Sequence, residues 1–281
     1  MIRKLAVLCA MLLGALGAHA ADTQDLVERG KYVFGSAGGC ACHTPPDAVG
    51  LNAGGRKFAR PFGVVYSRNI TPDPDTGIGR WTDTQIVNAI RRGDRPDGTR
   101  LFPIHPYPVF SRIADDEAYA LAAYLKSVKP VVARTPERAL NGPVPAVPVA
   151  DAPARAPQSG VERGKYLVNG AAHCVDCHTP RRAGGSFDDS KFLAGGPGPE
   201  DTVAPNITPD PATGIGRWSE AQIADFLRGG PKPSGQHATS LMRVVIVGTS
   251  AGYKDLTPGD ALAIAQYLKT LPPIVNKVAP R

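Results

Sequence analysis

Cys174-Val175-Asp176-Cys177-His178 is the stretch on which the reading of this chain turns. Two thiols three positions apart, followed at once by a histidine, form the C-x-x-C-H arrangement of c-type haem attachment. The thiols add across the two porphyrin vinyl groups, and the histidine binds the iron. A redox C-x-x-C or half of a zinc site would use the same cysteines. Neither explains the adjacent His178, and a zinc site would need a matching second pair that the chain does not contain.

The first half carries the same signature one residue short, as Gly39-Cys40-Ala41-Cys42-His43. Cys42 keeps the normal spacing to His43, and Gly39 stands where the other cysteine belongs. Three outcomes are open at this stage. Cys40 attaches through a distorted loop, Cys42 attaches alone, or the site is haem-free with both thiols oxidised.

Around these motifs the chain repeats itself. Glu28-Arg29-Gly30-Lys31-Tyr32 returns as Glu162-Arg163-Gly164-Lys165-Tyr166. Asn69-Ile70-Thr71-Pro72-Asp73 returns as Asn206-Ile207-Thr208-Pro209-Asp210, and Gly77-Ile78-Gly79-Arg80-Trp81 as Gly214-Ile215-Gly216-Arg217-Trp218. Tyr124-Leu125-Lys126 returns as Tyr267-Leu268-Lys269. The order is kept while the offset grows from 134 at Glu28 to 143 at Tyr124, so only loop lengths differ. Two like domains are expected, at 21–129 and 159–281. Between them, residues 130–158 are rich in proline, alanine and valine. Proline cannot continue a helix, so this linker reads as a stiff extended strap.

Residues 1–20 read as an export segment. Arg3 and Lys4 precede an apolar run, and Ala18-His19-Ala20 resembles a cleavage site. Cys9 would be discarded with it. No later stretch reaches spanning length, so a soluble, periplasmic mature chain is expected. The 32 Lys+Arg exceed the 25 Asp+Glu by 7. That excess suits an acidic protein partner or an anionic surface. No basic run with interleaved aromatics is present, so nucleic acid is excluded as a partner. With 31 Gly and 28 Pro, the side-chain core of each half would be thin. A buried haem would supply the missing apolar contact.

The fold class is mainly α, with three helices and long loops per half. The first helices are expected at 22–35 and 160–170. The second helices start at Thr82 and Ser219, each with a glutamine three residues later, which is the spacing of a capping box. The third run over 115–128 and 258–271. No convincing hairpin signal appears.

An iron held by one histidine needs a second axial group or an open face. Of three methionines only Met242 survives removal of the export segment. It lies 24 residues after Trp218, and the same count from Trp81 reaches His105. The repeat thus nominates His43 and His105 for one iron, His178 and Met242 for the other. Thioether ligation raises the potential relative to a second imidazole, so the two sites are expected to differ. His237 misses this register, and His173 is expected to point outward. Trp81 and Trp218 read as core residues whose indole N–H could reach a haem propionate. Arg91, Arg92, Arg95 and Arg100 read as a solvated face, with a docking patch as the sharper alternative.

The order of haem site, Asn-Ile-Thr-Pro-Asp with Thr-Gly-Ile-Gly-Arg-Trp, axial loop and Tyr-Leu-Lys helix resembles bacterial multihaem c-type cytochromes. These are the electron-transfer subunits of periplasmic alcohol, gluconate and nicotinate dehydrogenases. Three departures stand out: room for two haems where three are common, His105 where the family loop usually has methionine, and the contracted first motif. The resemblance implies two tandem cytochrome c domains and two covalently bound haem c groups. Cys40, Cys42, Cys174 and Cys177 would serve attachment, and His43, His105, His178 and Met242 would be iron ligands. It implies an electron carrier rather than an enzyme, relaying electrons between a dehydrogenase and the respiratory chain. Its partner would be a dehydrogenase subunit, a quinone-linked complex or another cytochrome, and peripheral membrane association would run through that partner. A dihaem peroxidase-like or thiosulfate-oxidising enzyme is the alternative. Peroxidases of that kind do not share the repeated loops, and the unusual cysteine ligand of the thiosulfate enzymes has no counterpart here.

Overall fold

The computed structural model describes residues 23–182, 185–198 and 202–278 of the 281. The export segment expected at 1–20, with Cys9, lies outside them. The described chain is mainly helical. The first half contains α1 (23–36), α2 (Asp83–Arg92), α3 (Tyr107–Phe110) and α4 (Asp115–Ser127). The second contains α5 (Gly160–Asn169), α6 (Cys174–His178), α7 (Glu220–Leu227), α8 (Ser240–Val247) and α9 (Pro258–Thr270).

The expected long helices form where their local signals place them. Thr82 Oγ accepts from the Gln85 backbone N–H at 3.2 Å, and the Gln85 side chain accepts from the Thr82 N–H at 2.9 Å. Ser219 and Gln222 repeat this box at 3.1 and 2.9 Å. Each box satisfies two N–H groups that the first turn leaves without partners, worth about 1 kcal/mol per cap. α2 ends on Gly93 at φ 73°, a left-handed cap that glycine adopts without strain.

In each half the first helix crosses the last at backbone contact. A Cβ at Gly30 would lie 1.9 Å from the Ala120 carbonyl oxygen, and one at Gly164 would lie 1.9 Å from that of Ala263. Only glycine permits this approach, so the small–aromatic pairs Gly30/Tyr32 and Gly164/Tyr166 are crossing points. Phe34 packs on Tyr124 beside the first crossing, ring centres 5.2 Å apart.

The repeated Asn-Ile-Thr-Pro-Asp loops are latches. Asn69 donates to the Val131 carbonyl at 2.7 Å and accepts from the Thr71 N–H and hydroxyl at 3.0 and 2.8 Å. Asn206 donates to the Ile274 carbonyl at 2.7 Å and accepts from the Thr208 N–H and hydroxyl at 2.9 and 2.8 Å. Asp73 and Asp210 cap the following turn by accepting from Thr76 and Thr213. Each loop therefore ties down the chain that leaves the last helix of its half.

Two sequence expectations need correction. A hairpin does form, from β1 (Lys57–Arg60) and β2 (Gly63–Tyr66), with Lys57 opposite Tyr66 and Arg60 opposite Gly63. Its turn is Pro61-Phe62, without the Asn-Gly or Asp-Gly signal that would have revealed it. β3 (Ala139–Leu140), within the proline-rich segment, pairs antiparallel with β2. β4 (Gly196–Pro197) and β5 (Val203–Ala204) make a smaller pair in the second half. The short helices α3, α6 and α8 were also not expected, being too brief for apolar periodicity to show.

The proline-rich segment lies stitched along the first half. Arg68 binds the Thr135 hydroxyl and the Glu137 carboxylate at 2.9 and 2.8 Å. Asp115 and Asp116 donate backbone N–H groups to Pro153 and Ala154. The halves then meet in one continuous apolar core that includes Phe34, Phe110 and Leu125 from the first and Leu167, Tyr253 and Ile264 from the second. A buried polar cluster crosses the same seam: Arg163 pairs with Glu117 at 2.7 Å and with Asp260 at 2.8 Å.

Candidate haem sites

Each attachment histidine hands one ring nitrogen to a backbone carbonyl. His43 Nδ1 lies 2.6 Å from the Arg68 oxygen, and His178 Nδ1 lies 2.8 Å from the Pro205 oxygen. A carbonyl only accepts, so Nδ1 carries the proton and Nε2 keeps its lone pair for a metal. Arg68 and Pro205 each immediately precede a latch asparagine. The latch thus aims the imidazole, a coupling that the spacing of the motifs does not reveal. Burial lowers the proton affinity of both rings, opposing the carbonyl contact.

Cys174 and Cys177 lie three residues apart on α6, on one face. The first motif forms a 3-10 stretch, Gly38–His43, with a kink at Gly39 and Cys40. Cys40, Cys174 and Cys177 form no disulfide. Burial pushes the Cys177 thiol up to about 12, with Asp176, Cys174 and Cys42 adding to the effect. Cys42 belongs to the first half, so the two attachment stretches lie near each other across the seam.

His105 sits in the turn before α3, half-buried, and its Nδ1 is a buried nitrogen without a hydrogen-bond partner. Burial lowers its pKa to about 3, with the His43 and His173 charges adding to the shift. The ring is neutral at ordinary pH and lies in the electrostatic neighbourhood of His43. A neutral, under-satisfied imidazole of this kind would be able to ligate iron. Met242 lies in the first turn of α8, half-buried against the core. The equal count from tryptophan therefore ends in different local structures, a turn at His105 and a helix at Met242. Pro106 and Pro108 flank Tyr107 and delay the helix in the first half, and no proline lies between Pro233 and Pro258.

His173 does not point outward. Its ring stacks on Phe110 of the first half at 5.5 Å and 21°, and Phe110 meets His105 edge-on at 5.7 Å. Apolar burial of this seam outweighs exposure of one imidazole. His237 is exposed, with Nδ1 3.2 Å from the Gly229 oxygen. Trp81 and Trp218 are half-buried against the core, Trp218 edge-on to Phe226 at 5.5 Å. The four arginines of the suspected face are all in ion pairs: Arg91 with Asp115, Arg92 and Arg100 with Asp94, and Arg95 with Asp97. Three carboxylates, Asp94, Asp97 and Asp115, offset most of their charge, which favours the solvated face over the docking patch.

Among the described residues no three His, Cys, Asp or Glu side chains gather into a metal-holding group. The donors come instead as one oriented histidine beside thiols in each half, with a further candidate supplied later in the chain by His105 in a turn or Met242 in α8. That donor set fits iron held in a porphyrin attached through cysteine.

No family model matches the chain. Individual proteins do. The cytochrome c subunit of the quinone-linked alcohol dehydrogenase of Gluconobacter oxydans is 36% identical over 295 residues, covering 96% of this chain and 60% of that protein. The gluconate 2-dehydrogenase cytochrome c subunit of Pantoea cypripedii is 35% identical, covering 93% of this chain and 64% of that protein. This chain therefore spans about 60% of the length of such subunits. A protein of Cereibacter sphaeroides named diheme cytochrome c-type is 37% identical over 276 residues, covering 88% of this chain and 86% of that protein. With the likeness running through nearly the full length of both proteins, this chain belongs to the bacterial c-type cytochromes that include diheme cytochrome c and the cytochrome c subunits of dehydrogenases.

Proposed function

We propose that this chain is a periplasmic dihaem electron-transfer protein that serves a dehydrogenase. The observation that carries this reading is the paired histidine geometry. His43 and His178 are held at matching places in the repeat by the Arg68 and Pro205 carbonyls, each beside its own thiols. The proposed organisation is an export segment at 1–20, cytochrome c domains at 21–129 and 159–281, and the proline-rich linker at 130–158.

Haem c, when bound, supplies a one-electron iron couple to each half. Cys174 and Cys177 hold one group by thioether bonds, and Cys42 holds the other. His43 and His178 present Nε2 as proximal ligands, and the carbonyls behind them keep the rings from turning. His105 completes a bis-imidazole pair in the first half, which favours the oxidised metal and a low potential. Met242 offers a thioether in the second half, which favours the reduced metal and a higher potential. Phe110 of the first half stacks on His173 of the second, joining the two halves beside His105.

The proposed partner is a redox protein: a dehydrogenase subunit, a quinone-linked complex or another cytochrome. The names of the relatives support this choice, as cytochrome subunits of alcohol, fructose and gluconate dehydrogenases. No described helix is long and apolar enough to cross a membrane. Contact with a membrane is proposed to run through the partner.

Intact mass with redox-resolved spectra of wild type, His105→Ala and Met242→Ala tests the reading. Two haem masses are expected, with a methionine-to-iron band lost only in Met242→Ala. An unchanged first-site spectrum in His105→Ala would remove that ligand. Peroxide turnover by the half-reduced protein would turn the carrier into an enzyme.

A further inference from the structure

We propose that the first haem is attached through Cys42 alone, leaving Cys40 as a free thiol. This rests on the reading of the chain as a haem c protein and adds the attachment chemistry of its irregular site.

Counting back from the histidine, the first cysteine of the regular motif is Cys174. The same count from His43 ends at Gly39. Gly39 has φ 65°, and a Cβ there would lie 1.9 Å from the Ala251 carbonyl oxygen and 3.1 Å from its carbon. Thr249 also donates its hydroxyl to the Gly39 carbonyl at 3.4 Å. The turn after α8, in the second half, occupies the space that a cysteine side chain at position 39 would need. Val245 of α8 covers the neighbouring Gly38, 3.2 Å from where its Cβ would be. The missing cysteine is therefore a consequence of how the halves interlock.

Cys40 does not replace it. Cys174 and Cys177 are three apart and share a face of α6. Cys40 and Cys42 are two apart and Cys40 sits at the kink, outside helical geometry, so the pair does not share a helix face as Cys174 and Cys177 do. The backbone at Cys40 is left-handed, φ 45° and ψ 41°, so its side chain leaves the chain before the turn that presents Cys42 and His43. Cys40 is half-buried and packs against the apolar core, whereas Cys42 is exposed. His43, next to Cys42, has the same carbonyl-held ring as His178, so the Cys42–His43 half of the motif is built as in the regular site.

The attachment step balances with one thiol. Cys42 adds its S–H across one vinyl double bond: a carbon–sulfur bond forms, and the hydrogen goes to the neighbouring carbon. No electron leaves. The second vinyl group stays intact.

The test maps thiols and haems together in the full mature chain. Protein unfolded without reductant is alkylated with iodoacetamide, and intact mass and peptide masses are read. The expected result is two haems, one thioether at Cys42, and one alkylated cysteine at Cys40. Cys40→Ser keeps both haems and loses the alkylated site, whereas Cys42→Ser loses one haem. The reduced pyridine haemochrome of wild type is expected to show two components, one shifted to longer wavelength by the remaining vinyl group. A Cys40 peptide carrying haem, a Cys40–Cys42 disulfide, or loss of haem in Cys40→Ser overturns the proposal. A haem-free Cys174–Cys177 peptide would instead overturn the functional reading itself, so the two failures are distinct.

Discussion

The Tyr32 hydroxyl donates to the Asp260 carboxylate at 2.6 Å, joining the first helix of one half to the last helix of the other. Its repeat mate Tyr166 donates to Glu117 at 2.7 Å in the opposite sense. Glu117 and Asp260 are themselves repeat mates, so the seam has an approximate twofold relation. Arg163 breaks it: this buried guanidinium serves both carboxylates, while its mate Arg29 pairs with Asp116 at the surface.

Removing Arg163 strands two buried carboxylates. Arg163 is 6% exposed and Glu117 3%. Arg163→Ala is expected to cost roughly 3–5 kcal/mol, the usual penalty for breaking a buried pair from one side. Urea unfolding of the holoprotein measures it. A loss under about 1 kcal/mol, the scale of surface ion pairs, would mean that the cluster is solvated in solution.

The seam also sets an alkaline limit. Burial and the Asp260 hydrogen bond raise the Tyr32 phenol to about 12. Burial and the Glu117 charge raise Tyr166 as well. Below pH about 10 the folded and unfolded chains both keep these protons, and stability is unaffected. Between about 10 and 12 only the unfolded chain releases them, so stability falls as pH rises. Denaturant midpoints against pH are expected to decline there, and less steeply in Tyr32→Phe. Equal slopes for the two proteins would remove Tyr32 from the account.

Asn206 is buried, and its side chain makes four hydrogen bonds, to Thr208, Thr213 and Ile274. Asn206→Ala leaves several of these groups unpaired, at about 1–3 kcal/mol each before relaxation. The Ile274 N–H, held by the Thr208 hydroxyl, and the Asn276 N–H, held by the Thr213 hydroxyl, are expected to exchange faster with deuterium. Because the same loop supplies the Pro205 carbonyl behind His178, the second-site spectrum is expected to broaden too. A stability loss with unchanged exchange at 274–276 would contradict the latch.

His105→Met would give the first half the ligand type proposed for the second. The midpoint potential of the first site is expected to rise by on the order of 100 mV, a part of the ~0.8 V that axial ligation spans. Spectroelectrochemistry with Met242 intact separates the two sites. A shift confined to the second site would show that the repeat register assigns the ligands to the wrong irons.

The long helices were legible because caps and periodicity are local. Thr82, Ser219, Pro258 and the repeated Gly30 and Gly164 mark their own positions. The Pro61-Phe62 hairpin was not legible, since its strands are short and its turn uses uncommon residues. The regular haem motif was legible at Cys174–His178 because five consecutive residues carry the chemistry. The setting of His173 was not, because Phe110 lies more than sixty residues earlier and reaches it only through the packing of the seam.

By itself the sequence nominated a duplicated helical plan, an attachment motif and four iron donors, from local motif spacings and from a repeat offset of 134 to 143 residues. The tertiary structure decided how the halves meet. It brought Tyr32 to Asp260, Cys42 towards Cys177, and the Ala251 carbonyl against Gly39. Contacts between residues up to 228 positions apart arise from burying one shared core. No local pattern encodes them, and through them a glycine in an attachment motif becomes a packing requirement.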